Sequence, residues 1–234
     1  MNPRPWVLQM AWQDLLFLHW PVPAAVLRPY LPTRVPLDTW NGQAWLSVVA
    51  FQVAGFRPRG FPLGLDFAQM NVRTYVKPGG VPGIWTLSLD AGHWLAVLGA
   101  RAGYALPYFL AEAALRRTPE GVTFHSSRMS DPSVGCDVHY RPAGPARAAA
   151  LGTLDYWLTE RRSLFTVGWT GQLWREDVQH ERWPLQPTTI MHETCTAPLQ
   201  VGVVPVGHPL AHYARQVHVK AFLPRLVAWP EQAY

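Results

Sequence analysis

The chain has 234 residues, 49% of them hydrophobic and 15% charged, so it can bury a sizeable core. Its net charge of +5 is an arginine charge, because only Lys77 and Lys220 are lysines and the arginines are scattered singly or in pairs. This scatter argues against a nucleic-acid partner, which needs clustered cations, and no run of about 18 apolar residues predicts a membrane span.

The first element that the sequence predicts is a short helix, because Pro23 can occupy the first turn of a helix that runs through Leu27 and Tyr30. The next is a strand over residues 44–53, which are almost all apolar, as expected of a strand covered on both faces. Residues 57–64, rich in proline and glycine, follow as a surface loop.

Residues 70–76 alternate in polarity and predict a strand with two different faces. One face carries Val72, Thr74 and Val76, and the other carries Asn71, Arg73 and Tyr75. The turn sequence at residues 77–80 and the apolar segment 84–89 complete a predicted hairpin.

Three further helices are predicted. Asp90 is placed to cap a helix over residues 92–104, and Pro107 to begin a helix that ends at Arg116 and Arg117. The third covers residues 153–162, where apolar residues recur at helical spacing.

The second half of the chain adds further strands. Residues 164–169 and 172–180 flank Thr170 and Gly171 as a second hairpin, and residues 215–223 form a late strand. Residues 141–152 are a second surface loop, and no linker divides the chain. The pattern predicts one α+β domain over residues 1–234, built around an antiparallel sheet or barrel.

The N-terminal residues 1–20 are apolar enough to raise the question of a signal peptide. Gln9, Gln13 and Asp14 interrupt the apolar run and no cleavage site follows, so we expect a soluble protein without a membrane partner. Cys136 and Cys195 fit no metal or redox spacing and predict reduced thiols in a cytoplasmic protein. The histidines show no ligand spacing either, so we expect no bound metal and no cofactor.

Several segments occur in an order that resembles a known family. They are DLLFLHWPVP, DTWNGQAWLSVVAF, NVRTYVKPGGVPGIW, SLDA, ARAGYALPYF, LTERRSLF and WPL, between about residue 6 and residue 185. Together they resemble the YqjF-like family (DUF2071), a branch of the acetoacetate decarboxylase-like superfamily. The resemblance implies a curved, closed antiparallel β-barrel with a few short helices outside and a ligand cavity inside. Gln69 stands where the family has Glu, and Arg162 stands where it has Tyr.

The resemblance also bears on the reaction. Acetoacetate decarboxylases have a Gly-Arg segment six residues before a proline, and the Schiff-base lysine follows that proline. Gly99, Arg101 and Pro107 fit this pattern with one extra residue, and Tyr108 then falls at the lysine position. A phenol cannot form an imine with a ketone, and neither Lys77, at a turn, nor Lys220, on a late strand, is a good substitute. We therefore expect no Schiff-base decarboxylation.

The candidate ligand-binding residues lie on the strand at 70–76 and near residue 160. Arg73 either faces solvent or clamps a carboxylate inside the barrel, with Asn71 and Tyr75 on the same face. Glu160 and Arg161 form either a surface charge cluster or an inward ion pair.

The candidate catalytic residues are Arg101 and Tyr108. Arg101 suits the end of a helix, where Asp90 or Glu112 would pair with it, or it contacts ligand. Tyr108 either packs with its hydroxyl on one partner or faces the cavity, where it would donate a proton or orient a carbonyl.

These features predict a protein that binds a small organic anion, of the keto- or hydroxy-acid type, in a β-barrel cavity. If it is an enzyme, it is lyase- or hydrolase-like and uses acid/base chemistry without an imine. The alternatives are a non-enzymatic carrier or sensor for a small molecule, and an interaction module that uses the 12 tryptophans and 23 prolines. Assembly into a homo-oligomer is left open.

Overall fold

The computed structural model describes residues 5–230. Strands dominate this range, and in chain order they are β1 (Trp6–Val22), β2 (Ala44–Pro58), β3 (Leu65–Val76), β4 (Gly83–Ala91), β5 (Tyr108–Thr118), β6 (Gly121–Arg128), β7 (Asp131–Pro142), β8 (Ser163–Val167), β9 (Leu173–Gln179), β10 (Leu185–Cys195), β11 (Leu210–Phe222) and β12 (Arg225–Leu226).

The helices are few and short: α1 (Ala24–Leu27), α2 (Trp94–Tyr104) and α3 (Leu154–Thr159), with 3-10 turns at Arg28–Tyr30, Pro78–Gly80 and Ala197–Val201. A search of residues 5–230 finds no helix with the length and apolar character needed to cross a membrane. Short helices are present at the predicted positions 23–30, 92–104 and 153–162, and their ends differ from the predicted ones by a few residues.

All the strands belong to one sheet with the order β12-β9-β8-β4-β3-β2-β1-β11-β10-β7-β6-β5. Two further pairings, β9–β11 and β4–β5, join strands that are distant in this order. The prediction of a mostly-sheet fold with few helices is confirmed. The sheet is nevertheless mixed, because β4 pairs in parallel with both β5 and β8.

Both predicted hairpins are present. Strands β3 and β4 pair antiparallel across the turn at Pro78–Gly80, and β8 and β9 pair antiparallel in the second half of the chain. The predicted strands at 44–53 and 215–223 are the middle of β2 and the end of β11.

The first two strands pack apolar side chains on both of their faces. Leu16 and Leu18 of β1 belong to one buried cluster, whereas Leu15 and Phe17 belong to another. Strand β2 alternates in the same way, which explains why residues 44–53 are apolar throughout. The second cluster surrounds the cavity described below.

The predicted helix at residues 107–117 is wrong, because this segment is strand β5. Its Ala, Leu, Glu and Arg residues favour a helix, but the backbone pairs with β4 on one side and β6 on the other. The burial alternates accordingly, from buried Ala111 to exposed Glu112. Sheet pairing thus outweighs local helix propensity here.

The assignment of Asp90 as a helix cap is also wrong. Asp90 lies within β4, and helix α2 begins at Trp94 with His93 as its N-cap. The Asp90 carboxylate is fully buried and pairs with the guanidinium of Arg128 on β6, at 2.6 Å. The buried cation, rather than the helix terminus, explains an aspartate at this position.

The prediction of two reduced thiols is corrected by a disulfide between Cys136 and Cys195. The two residues are 59 positions apart in sequence, so their spacing carries no local signal. Antiparallel pairing of β7 with β10 sets them directly opposite each other.

Candidate functional site

A cavity of about 360 Å³ lies against the inward faces of strands β1 to β4, and β5, β8, β9, β11 and helix α2 contribute further lining residues. Most of its lining is apolar and includes the side chains of Trp12, Phe17, Phe51, Val53, Phe67 and Trp183. Its polar lining includes Gln69, Asn71, Arg73, Thr86, Tyr108, Arg161 and Glu176. An apolar chamber with few polar groups is the usual form of a small-molecule site.

Arg73 supplies a buried cation to this cavity. The alternation of β3 turns its side chain inward, and its guanidinium lies 5.8 Å from the centre of the Phe17 ring. Burial lowers the pKa of Arg73 from its ordinary value, yet a guanidinium remains charged in proteins. Its Nε and Nη2 atoms have no hydrogen-bond partner in the described part of the chain. Arg73 therefore places a positive charge beside the cavity and leaves two buried donors without a partner.

Tyr75 lies next to Arg73 but outside the cavity lining. Its hydroxyl is 2.6 Å from Oγ of Ser47 and 3.3 Å from Nδ1 of His19, and Ser47 Oγ lies 2.6 Å from the same His19 nitrogen. All these side chains are buried. The Tyr75 ring also packs on Trp157, with 4.6 Å between ring centres. Tyr75 thus belongs to the buried packing next to Arg73 and does not form part of the cavity wall.

Arg161 is the second cation at the cavity. Its Nη1 donates to Oδ2 of Asp38 at 2.6 Å and its Nε donates to the Trp157 carbonyl at 2.6 Å. Its Nη2 has no partner within residues 5–230. Asp38 therefore offsets much of the charge on Arg161, whereas no ion pair formed among the described residues includes Arg73.

Asn71, Gln69 and Tyr108 form a hydrogen-bonded group on the cavity wall. The Gln69 amide donates to Oδ1 of Asn71 at 2.7 Å, and the Tyr108 hydroxyl lies 3.5 Å from Oε1 of Gln69. Burial, and then the nearby carboxyl of Glu176, raise the pKa of Tyr108 above its ordinary value. Tyr108 is thus a protonated phenol that can donate to a ligand.

Glu176 of β9 is a cavity residue that the sequence reasoning missed. Burial, followed by the charge of Asp177, raises the pKa of Glu176 to about 8. Burial, and then the charge of Glu176, raise the pKa of Tyr104 to about 12. The strand predicted at residues 172–180 offered a signal, because alternation along a strand places Glu176 and Val178 on the same face. Both residues line the cavity. A carboxyl with a pKa near neutrality is suited to accept or donate a proton.

Other predicted site residues lie away from the cavity. Arg101 is on the exposed side of α2, with its guanidinium 5.7 Å from the Phe109 ring centre. The Glu160 carboxylate is buried beside a separate depression, where it accepts from the Trp183 amide at 3.1 Å. Lys77 and Lys220 are both exposed and do not line the cavity.

The two departures from the family pattern both fall at the cavity. Gln69 and Arg162, the two positions where the resemblance implied Glu and Tyr, both line it. Arg162 also lies 3.6 Å from Glu160. Within residues 5–230, no group of three or more His, Cys, Asp or Glu residues is arranged to hold a metal ion.

Sequence comparison relates the chain to proteins of one family. The model of DUF2071, described as an uncharacterised conserved protein, matches residues 9–218. The chain is also 39% identical over 218 residues to the uncharacterised protein YqjF of Bacillus subtilis (strain 168), in an alignment that covers 92% of this chain and 90% of YqjF.

Structural comparison finds similar folds at low sequence identity. An acetoacetate decarboxylase superposes with a TM-score of 0.66 at 12% sequence identity, and the alignment covers 98% of this chain and 92% of the decarboxylase chain. The enduracididine biosynthesis enzyme MppR, in complex with pyruvate, gives 0.66 at 10% identity, covering 98% and 93%. The acetoacetate decarboxylase of Legionella pneumophila gives 0.64 at 14% identity, covering 97% and 90%. The likeness is one of fold.

Proposed function

The chain belongs to the DUF2071 family, and from this premise we propose that its cavity binds a small organic anion of the keto- or hydroxy-acid type. The observation that carries the proposal is the buried Arg73 guanidinium, whose Nε and Nη2 atoms have no partner in the described chain. A buried cation without a counterion is costly, and a carboxylate ligand that accepts two hydrogen bonds would offset that cost.

The charges around the cavity support an anion over a cation. Arg73, Arg161 and Arg162 all line it, whereas Glu176 is the only carboxyl among the described residues that line it. Because the pKa of Glu176 is raised to about 8, this carboxyl is mostly neutral at pH 7 and does not repel an anion.

The fold relatives suggest the chemical class of the ligand. One of them is an acetoacetate decarboxylase, and MppR is complexed with pyruvate, so both are associated with keto acids. The proposal extends that class to this chain, but without an imine, since neither lysine lines the cavity.

If the protein is an enzyme, the catalytic residues that we propose are Tyr108 and Glu176. An anion held at Arg73 would leave its carbonyl or hydroxyl facing the cavity wall. The Tyr108 phenol would donate a hydrogen bond to an oxygen that develops negative charge, and the Glu176 carboxyl would transfer a proton. Arg101 has no part in this scheme, because its side chain is exposed outside the cavity.

The alternative is a carrier or sensor, which the largely apolar lining favours. Turnover separates the two functions. We expect an enzyme to convert some acid of a keto- and hydroxy-acid panel, and Tyr108→Phe or Glu176→Gln to lose turnover while binding persists. A carrier would bind the same acids and convert none of them. An interaction module would need a patch of exposed tryptophans, whereas Trp94 and Trp169, both exposed, lie on different elements.

Binding is tested with pyruvate, acetoacetate and lactate by calorimetry on the parent protein, Arg73→Gln and the exposed control Arg116→Gln. We expect the parent and the control to bind and Arg73→Gln to lose at least about tenfold in affinity, as for a charge-assisted hydrogen bond. Equal affinity in all three proteins would exclude Arg73 as the anion clamp. Borohydride reduction with acetoacetate should leave the protein mass unchanged, and an adduct on either lysine would contradict the absence of an imine.

A further inference from the structure

The cavity is graded from polar to apolar along strand β3. Residues 73, 71, 69 and 67 of this strand all line the cavity, because every second side chain points to the same face. In this order they are Arg, Asn, Gln and Phe. At about 3.3 Å per residue, the Cα atoms of Arg73 and Phe67 lie roughly 20 Å apart along the strand. One wall of the cavity thus runs from a cation to an aromatic ring.

The apolar end of this wall continues across the neighbouring strands in register. Phe67 pairs with Val53 of β2, which pairs with Trp12 of β1, and all three line the cavity. At the other end, Arg73 pairs with Thr86 of β4, which is polar and also lines the cavity. The apolar end of the wall therefore spans β1, β2 and β3, whereas its polar end lies on β3 and β4.

The apolar end lies close to the surface. Phe67 packs in one buried cluster with Ala96 of α2, which also lines the cavity. Leu95 and Gly99 of the same helix line the cavity too, yet both are exposed. Helix α2 thus borders an opening at the apolar end, while the Arg73 end is buried.

The volume exceeds what the smallest acids need. A water-sized group takes about 30 Å³, so the cavity has room for about a dozen non-hydrogen atoms. Pyruvate or lactate bound at Arg73 would leave the space between Phe67, Trp12 and Val53 unfilled. An apolar extension of the ligand would bury that surface and gain affinity by the hydrophobic effect.

We propose that the ligand is an amphiphilic monocarboxylic acid, with its carboxylate on Arg73 and an apolar tail directed along β3 toward Phe67, Trp12 and Val53. This inference rests on the proposed function and specifies its substrate class. A second carboxylate inside the cavity, beside Phe67, Trp12 and Val53, would lie among apolar side chains without a cation, which is costly. The polar-to-apolar gradient of the cavity thus favours a ligand with a single carboxylate.

The test is a series of straight-chain α-hydroxy acids, from lactate to α-hydroxydecanoate, measured by calorimetry on the parent protein. We expect the affinity to rise about fourfold for each added methylene until the cavity is filled, and then to level off. Alkanediols of matching length lack the carboxylate, and we expect them to bind at least about tenfold more weakly, a difference that Arg73→Gln removes.

A matched pair of variants on α2 locates the tail. Ala96→Leu adds volume to the apolar end and should weaken the longest acids by about tenfold while lactate binding is unchanged. Leu98→Ala, on the exposed side of the same helix, should change neither. Melting curves verify that both variants are folded, and the length series on the parent protein does not depend on either.

The outcomes separate this inference from the proposed function. If short and long acids bind equally well and both depend on Arg73, the anion site stands and the amphiphilic ligand is wrong. If acids and diols of each length bind alike in the parent and in Arg73→Gln, the anion site itself is wrong. If no acid of any length binds, both proposals fail.

Discussion

The Arg128 guanidinium donates two hydrogen bonds to the Asp90 carboxylate, at 2.6 and 3.0 Å, and both side chains are buried. The pair connects β4 with β6, which are not neighbours in the sheet order. The guanidinium also lies 3.8 Å from the centre of the Phe109 ring. Asp90 is thus one half of a buried ion pair at a position where local sequence suggested a helix cap.

Replacing Arg128 by Met should destabilise the fold strongly, since Asp90 would remain buried without its cation. We expect the free energy of unfolding to fall by about 3–5 kcal/mol, as for other broken buried pairs. Urea unfolding followed by circular dichroism measures the effect. Arg116→Met is the matched control, because Arg116 is exposed on the adjacent strand β5. A loss no larger than that of the control would contradict a structural role for the pair.

Removing the Tyr75 hydroxyl should also lower stability. In Tyr75→Phe, Ser47 Oγ loses a neighbour at 2.6 Å inside the fold, so we expect a loss of about 1–3 kcal/mol in urea unfolding. Tyr30→Phe provides the comparison, since Tyr30 is 41% exposed. If both variants unfold at the same urea concentration as the parent, the hydroxyl makes no net contribution.

The pH dependence of stability should report Glu176. Its pKa is about 8 in the folded protein, above the ordinary value of 4.5. Between these two values the unfolded chain has released the proton and the folded chain retains it, so stability falls as pH rises from 4.5 to 8. Above pH 8 both states are ionised and this contribution no longer changes.

Glu176→Gln should remove that part of the pH dependence. We expect the variant to gain stability relative to the parent between pH 5 and pH 8, on the order of 1 kcal/mol or more. Chemical unfolding at both pH values measures the difference. Glu112→Gln, an exposed change on β5, should show the same pH dependence of stability as the parent. An unchanged slope in Glu176→Gln would show that Glu176 ionises normally.

Reduction of the disulfide between Cys136 and Cys195 should destabilise the protein. The bond closes a loop of 59 residues, for which the chain-entropy account gives a contribution of about 4 kcal/mol. Thiol titration of the denatured protein should detect no thiol before reduction and both cysteines after it. The double variant Cys136→Ala with Cys195→Ala should melt at the same temperature with and without reductant. Two free thiols in the unreduced protein would exclude the bond.

Four candidate residues from the sequence line the cavity, namely Asn71, Arg73, Tyr108 and Arg161, but the sequence could not decide their environment. The period-two pattern of residues 70–76 identified a strand and grouped Asn71 with Arg73. The resemblance to the decarboxylase-like proteins singled out Tyr108. Whether the face of Arg73 met solvent or a cavity depends on which strands cover it, and that pairing is not local.

Long-range pairing also explains what was missed. Strand β1 pairs with β11, so that Trp12 lies opposite Val217, and no local pattern records such a partner. Glu176 was overlooked because its raised pKa arises from burial by strands distant in sequence. Arg101, by contrast, fitted a helix end correctly, but the orientation of α2 leaves its side chain outside.

The sequence by itself therefore determined the family, the mostly-sheet fold and the lack of a lysine after Pro107. Ordered motifs and alternating polarity are local properties of the chain, and they survive in any arrangement of the strands. The tertiary structure alone decided that Arg73, Tyr108 and Glu176 share one cavity, that Asp90 pairs with Arg128 and that the cysteines are bonded. Each of these requires strands far apart in sequence to meet, and contacts at such separations are fixed by packing of the whole sheet.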